Sequence, residues 1–202
     1  MKRMKKLLTG LLTLGMTLSM MTMTAFAAGP TTGTTEKMPT IDFDVNKTGS
    51  ITIHKYEYNG TDGVTGTGAD NQTPPTGAEP LAGVTFKITK IAELNDYYGT
   101  DAKAFPTVEQ AKTMTSIGTP IVQITDENGE AKFNNLSLGL YLVQETDAPA
   151  QITGKVGDFL VSIPMTNADE DDWLYDVHVY PKNKSTYGGV TLQKKGQIGS
   201  KT

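Results

Sequence analysis

The residues best able to do chemistry lie in the segment 173–183 (WLYDVHVYPKN), where a lysine and an asparagine are neighbours. Side chains alternate along a β-strand, so this pattern places Lys182 on one face together with His178 and Tyr180. Asn183 falls on the opposite face, which also carries the apolar residues Trp173, Tyr175, Val177 and Val179. We therefore expect Lys182 to face solvent. Asn183 should face the interior, where an unpartnered carboxamide costs free energy.

A second lysine is expected to point inward. Residues 50–58 (SITIHKYEY) alternate as a strand, and Lys55 shares a face with Ile51 and Ile53. The same test turns Lys87 and Lys132 away from their apolar neighbours. A lone lysine on an apolar face is costly, and burial favours its neutral, nucleophilic form while favouring the protonated form of a nearby carboxyl group.

The N-terminal residues 1–27 read as a secretory signal peptide. Four basic residues open the segment, a mostly apolar Leu/Met/Thr run follows, and Ala25-Phe26-Ala27 offers small residues for cleavage. Removal of the segment takes the formal net charge from −4 to −8, because it holds four basic and no acidic residues. We do not expect nucleic acid as a partner for so acidic a protein.

Cysteine is absent from the sequence. An exported chain without cysteine must be stabilised by its core, by a metal or by some other covalent bond than a disulfide. Thiol catalysis and cysteine metal sites are excluded as well.

The remaining chain predicts an all-β fold. Alternating patterns predict strands at 50–58, 81–91, 120–124, 131–133, 138–145, 159–165 and 173–182, with a hairpin turn at the Asn128-Gly129 pair. A short helix is expected at 107–114, started at Pro106. About seven short strands with a short helical insertion indicate an immunoglobulin-like β-sandwich of one domain.

The expected organisation has four parts. The signal peptide is followed by a flexible segment at 28–49, rich in Thr, Gly and Pro, and by the β-sandwich at 50–185. Residues 186–202 read as a linker and the start of a truncated second domain. The loop 59–80 is long for a compact domain, which suggests that it is mobile or functional.

The spacing W-x-x-x-V-x-V-Y-P-K in residues 173–182 resembles the pilin motif of Gram-positive major, or backbone, pilins. Residues 139–149 (GLYLVQETDAP) resemble the E-box of the same proteins, Y-x-L-x-E-T-x-A-P, with Val143 where the pattern has leucine. Residues 81–86 and 125–129 are similar to segments of collagen-adhesin B-type (CnaB) domains. The likeness covers the signal, one whole CnaB-type domain and a linker.

This resemblance implies a structural subunit of a covalent pilus on the surface of a Gram-positive cell. Lys182 would be the amine that a pilus-type class C sortase joins to another pilin subunit. Such pilins end in a sorting signal with an LPxTG-like pentapeptide, which residues 186–202 do not contain, so we expect the sequence to be the front part of a longer protein.

Domains of this family often carry an internal lysine–asparagine isopeptide bond assisted by a buried acid. The resemblance therefore implies a bond between Lys55 and Asn183, with Glu145 of the E-box as the acid. The alternation around Glu145 cannot say which side is buried, because Leu140 and Leu142 lie on one face and Tyr141 and Val143 on the other.

Simpler interpretations stay open. Lys182 could be an ordinary solvated lysine, Lys55 could reach solvent at a strand end, and Asn183 could only cap a turn. The main alternative function is a minor pilin or adhesin whose loop 59–80 or insertion 92–119 binds a host ligand or glycan. An enzyme of conventional kind is not expected, because no nucleophile–base pair is evident.

No cofactor or metal site is expected either. The acidic run Asp169-Glu170-Asp171-Asp172 lacks the spacing of a calcium loop and reads as a solvated turn. His54 and His178 both fall on outward faces without an evident partner, so they are predicted to be surface residues of strands.

Overall fold

The computed structural model describes residues 40–42, 44, 46–60, 66–98 and 101–185. The predicted signal peptide and the predicted linker to a second domain lie outside these residues. Within the described residues there are two short helices, α1 (Asn95–Tyr98) and α2 (Val108–Ala111). The strands are β1 (Thr48–His54), β2 (Tyr56–Glu57), β3 (Glu79–Pro80), β4 (Thr85–Glu93), β5 (Ile121–Ile124), β6 (Glu130–Ser137), β7 (Gly139–Asp147), β8 (Ile152–Gly154), β9 (Phe159–Ile163), β10 (Met165–Thr166), β11 (Trp173–Leu174), β12 (Asp176–Val179) and β13 (Lys182–Ser185).

These strands form a β-sandwich, which confirms the predicted all-β, immunoglobulin-like fold. One sheet has the order β5-β4-β7-β9, and the other has the order β12-β1-β6. A third sheet, β3-β2-β13-β8, continues the second one beyond a break in its strands, and β10 pairs with β11. The main core lies between the sheets and is built from inward-facing residues of both, among them Ile51, Ile53, Phe86, Phe133 and Val161.

Strand β7 is buried on both faces, which explains why its alternation was ambiguous. Tyr141 and Val143 pack into the main core, whereas Leu140 and Leu142 pack into a second cluster on the other side of the sheet. This second cluster is covered by residues of the 92–119 insertion, including Phe105 and Ala111. The insertion therefore closes a third layer over the sheet, and its apolar residues are used in packing.

Two predicted strands are broken at the same level of the sandwich. The expected strand 50–58 divides at Lys55 into β1 and β2, and the expected strand 173–182 divides into β11, β12 and β13. Strand β1 pairs with β12 and β2 pairs with β13, both in parallel, so the two segments of the chain pass side by side from one sheet to the next. The Tyr56 amide donates to the Pro181 carbonyl at 3.1 Å between the two breaks. Pro181 has no amide hydrogen and cannot continue a ladder.

The predicted helix 107–114 is shorter than expected. It spans only Val108–Ala111, with Thr107 as its N-cap in a capping box with Gln110. Helix α1 was missed, because four residues carry no periodic pattern. Within the described ranges, no helix is long and apolar enough to cross a membrane.

Candidate functional site

Lys55, Glu145 and Asn183 meet in the main core. The Lys55 Nζ atom donates to Asn183 Oδ1 at 2.6 Å and to Glu145 Oε2 at 3.0 Å. Asn183 Nδ2 donates to Glu145 Oε1 at 2.6 Å, which closes a ring of three hydrogen bonds. The side chains of Lys55 and Glu145 are both 0% exposed, and Asn183 is fully buried. The carboxylate thus contacts the amine with one oxygen and the amide nitrogen with the other.

The Asn128-Gly129 turn fixes the backbone of Lys55. The Lys55 amide donates to the Gly129 carbonyl at 2.7 Å, and the Lys55 carbonyl accepts from the Leu81 amide at 2.9 Å. Gly129 has a φ of +74°, and a Cβ atom there would lie 2.3 Å from the Lys55 carbonyl oxygen. The position therefore requires glycine for its backbone conformation and for its close approach to β1 and β2.

The surroundings of the amine favour its neutral form. Burial lowers the pKa of Lys55 from 10.5 to about 8, although the Glu145 carboxylate opposes this shift. The Phe86 ring lies next to the amine, with its centroid 5.6 Å from Lys55 Nζ. Phe86 pairs with Glu145 across β4 and β7, so the same strand pair places both the apolar wall and the acid.

One further polar group was not found from the sequence. The Val156 amide donates to Asn183 Oδ1 at 2.8 Å, so the side-chain carbonyl of Asn183 has a second donor besides Lys55. A backbone donor of this kind can stabilise negative charge that develops on a carbonyl oxygen. No sequence signal marks it, because every residue except proline carries the same group.

Lys182 lies one residue before the buried asparagine, at the start of β13. It is half-buried, and its Nζ atom is 3.5 Å from the Tyr180 carbonyl oxygen. Lys184 lies on the same face of β13 and is exposed, whereas Asn183 and Ser185 are buried. The alternation expected for Lys182 and Asn183 is present, because β13 keeps a regular pleat after Pro181.

The prediction that His54 and His178 are surface residues was wrong for His54. His54 and Tyr180 are buried and His178 is half-buried. The outer face of β1 and β12 is covered by the first part of the 66–80 loop, in which Gly68 forms a bridge with His178. Burial also lowers the pKa of His54.

Comparisons with known proteins show which family the chain belongs to. Residues 46–184 match the family described as "Gram-positive pilin subunit D1, N-terminal domain". The chain is 38% identical to the type 1 fimbrial subunit of Actinomyces viscosus over 159 residues, covering 76% of this chain and 29% of that protein. It is 32% identical to the type 2 fimbrial subunit of Actinomyces naeslundii over 179 residues, covering 78% and 33%.

A solved structure is similar as well. The full-length major pilin SpaD from Corynebacterium diphtheriae superposes with a TM-score of 0.58 at 38% identity. The alignment covers 72% of this chain and 33% of that one. The chain thus spans about a third of the length of the relatives it matches.

Proposed function

Since this chain belongs to the Gram-positive pilin subunits, a structural rather than an enzymatic family, we propose that it is a subunit of a sortase-assembled covalent pilus on the cell surface. Lys182 is the amine through which it is joined to another pilin subunit by a class C sortase. The observation that carries this proposal is the placement of two neighbouring side chains on β13. Asn183 is held in the buried cluster, whereas Lys182 lies on the opposite, partly exposed face.

The buried cluster supports a second, internal bond. The neutral amine of Lys55 attacks Cγ of Asn183, and the Val156 amide stabilises the charge on Oδ1. Glu145 enters the step as the protonated carboxyl and gives its proton to Asn183 Nδ2, which leaves as ammonia, while the Lys55 nitrogen returns one proton to the carboxylate. The carboxyl ends as it began, one C–N bond has formed and one has broken, and the reaction occurs once.

The internal bond would join the first part of the sandwich to the last. Lys55 and Asn183 are 128 residues apart in the chain. By the chain-entropy model for cross-links, closing a loop of that length contributes about 5 kcal/mol to stability.

Polymerisation is tested with Lys182→Ala and with Lys184→Ala as the matched control. Both lysines lie on the same face of β13, so the two variants differ chiefly in which amine is lost. With sortase and partner subunits present, Lys182→Ala should fold but give no high-mass ladder on denaturing gels, whereas Lys184→Ala should polymerise normally. A ladder that persists in Lys182→Ala would remove this residue from its proposed role.

The internal bond is tested by intact mass. The purified chain should be lighter than its sequence by one ammonia, and Lys55→Ala or Glu145→Ala should restore the full mass. A wild-type chain at full mass after complete folding would contradict the proposed bond.

If the protein were instead an adhesin that binds a host ligand through the 92–119 insertion, this insertion would have to offer a binding surface. Its apolar residues instead cover the sheet face at Leu140 and Leu142. This packing favours the structural subunit, and peptide mapping of native cross-linked material would distinguish the two, because an adhesin need not be linked through Lys182.

A further inference from the structure

Two histidines and an aspartate converge on the outer face of the sandwich, away from the buried lysine cluster. His54 ends β1, His178 lies in β12, and Asp70 belongs to the 66–80 loop. His54 Nε2 is 2.8 Å from His178 Nδ1 and 3.8 Å from Asp70 Oδ1, and His178 Nδ1 is 3.2 Å from the same Asp70 oxygen. Three possible metal-ligand atoms therefore form a small triangle.

The size of this triangle fits a metal ion. Zinc binds nitrogen and oxygen ligands at about 2.0–2.2 Å in a tetrahedron, which sets neighbouring ligand atoms about 3.4 Å apart. The three distances lie on both sides of this value. The imidazole pair would have to open slightly and the carboxylate would have to move towards His54, and the Asp70 side chain is 76% exposed.

The two imidazoles are held in place before any ion arrives. The His54 ring stacks on the Tyr180 ring at a centroid distance of 4.6 Å with an interplanar angle of 8°. The Glu130 carboxylate lies 3.4 Å from His54 Nδ1, the ring nitrogen that faces away from the triangle. A carboxylate in that position orients a ligating histidine and keeps its other nitrogen available for the metal.

The loop is also fixed just before Asp70. The His178 amide donates to the Gly68 carbonyl at 2.7 Å, and the Tyr180 hydroxyl donates to the Ala69 carbonyl at 3.2 Å. The histidine side chains are only 10% and 16% exposed, whereas the aspartate opens to solvent. Water can therefore complete the coordination on that side, as in zinc sites with three protein ligands.

We propose that His54, Asp70 and His178 bind a divalent transition-metal ion, with zinc as the ion that best fits the two nitrogens and one oxygen. The ion joins β1, β12 and the 66–80 loop at one point, so it acts as a clip that holds the loop on the sheet. A nitrogen-rich donor set of this kind selects against calcium and magnesium, which prefer oxygen ligands.

The test uses the metal-free chain without a polyhistidine tag, titrated with zinc chloride by calorimetry. We expect one ion per chain and a higher melting temperature in its presence, because an ion that binds only the folded state stabilises it. Asp70→Ala and His178→Ala should each weaken binding by at least about tenfold. Asp169→Ala is the control, because this exposed acidic residue lies in the Asp169–Asp172 turn, and it should bind zinc as the wild type does.

X-ray absorption at the zinc edge of the wild-type chain gives a readout that does not depend on the folding of a variant. Two imidazole nitrogens in the first shell are expected. Absence of one-to-one binding, a zinc shell without imidazole, or equal stabilisation by calcium would each overturn the proposal. So would binding that Asp70→Ala and His178→Ala leave unchanged while both variants keep the wild-type circular dichroism spectrum.

Discussion

The rate of internal bond formation should be nearly level from about pH 6 to about pH 7 and should fall above that range. The proposed reactive state has a neutral Lys55 amine and a protonated Glu145 carboxyl. It holds the same number of protons as the ion pair of ammonium and carboxylate, from which it arises by transfer of one proton over the 3.0 Å contact. Its population is therefore independent of pH until the pair as a whole loses a proton.

The lowered pKa of Lys55, about 8, sets the point at which that loss occurs. At about pH 7 roughly nine-tenths of the chains keep the proton, and at about pH 9 roughly one-tenth do. The rate should thus drop about tenfold between these two values and about tenfold again for the next pH unit. A reaction that required only the neutral amine would behave in the opposite way, rising about tenfold per pH unit up to pH 8 and then levelling off.

The assay needs chains that have never folded. Protein purified from inclusion bodies in denaturant is diluted into buffers across the pH range, samples are quenched in acid, and loss of ammonia is followed by intact mass. Folding is monitored in parallel by tryptophan fluorescence, so that slow folding is not mistaken for slow chemistry. Glu145→Gln is the control, since it keeps the shape of the side chain but cannot pass a proton, and it should form the bond far more slowly.

The reasoning would be refuted by a rate that rises steadily between pH 6 and pH 8. Such a profile would mean that Glu145 supplies no proton in the slow step. Bond formation in Glu145→Gln at the wild-type rate would lead to the same conclusion.

Three further predictions concern the scaffold around the cluster. Gly129→Ala should lower the free energy of unfolding by about 1–3 kcal/mol, because alanine is strained in this backbone conformation. It should also slow bond formation, because the new Cβ atom displaces the Lys55 carbonyl. The control is Gly157→Ala, where a Cβ atom meets nothing within 4 Å, and it should change neither urea denaturation nor the mass time course. Thr125→Val should cost about 1–3 kcal/mol in the same denaturation assay, because the buried hydroxyl donates to one backbone carbonyl and accepts from one backbone amide; an unchanged midpoint would contradict this. Leu142→Ala should cost about 2–5 kcal/mol and increase hydrogen exchange in the 92–119 insertion, whereas unchanged exchange there would show that the second apolar cluster does not hold the insertion.

Lys55 and Asn183 could be predicted to lie inside because each shares its face with several apolar residues of one strand. Glu145 could not, since both faces of β7 are apolar and only the tertiary structure shows that one covers the main core and the other packs under the insertion. The alternation rule thus works where one face meets water. It loses its meaning where a third layer covers the second face.

The error at His54 has a related cause. Its face of the sheet is covered by a loop, and local alternation contains no information on which loop folds over which strand. The unbroken strands expected at 50–58 and 173–182 failed for a different reason. Both segments cross from one sheet to the next, and only Pro181 marks that crossing in the sequence.

The position of β13 determines how tension would enter this molecule. If a fibre is pulled through Lys182 and through whatever follows Ser185, the load runs along four residues, and the remainder of the sandwich lies outside its path. The weak point is then peeling of this short strand away from β2 and β8. An amide between Lys55 and Asn183 would fasten the strand within one residue of the pulled side chain, so that peeling the strand away would require breaking a covalent bond.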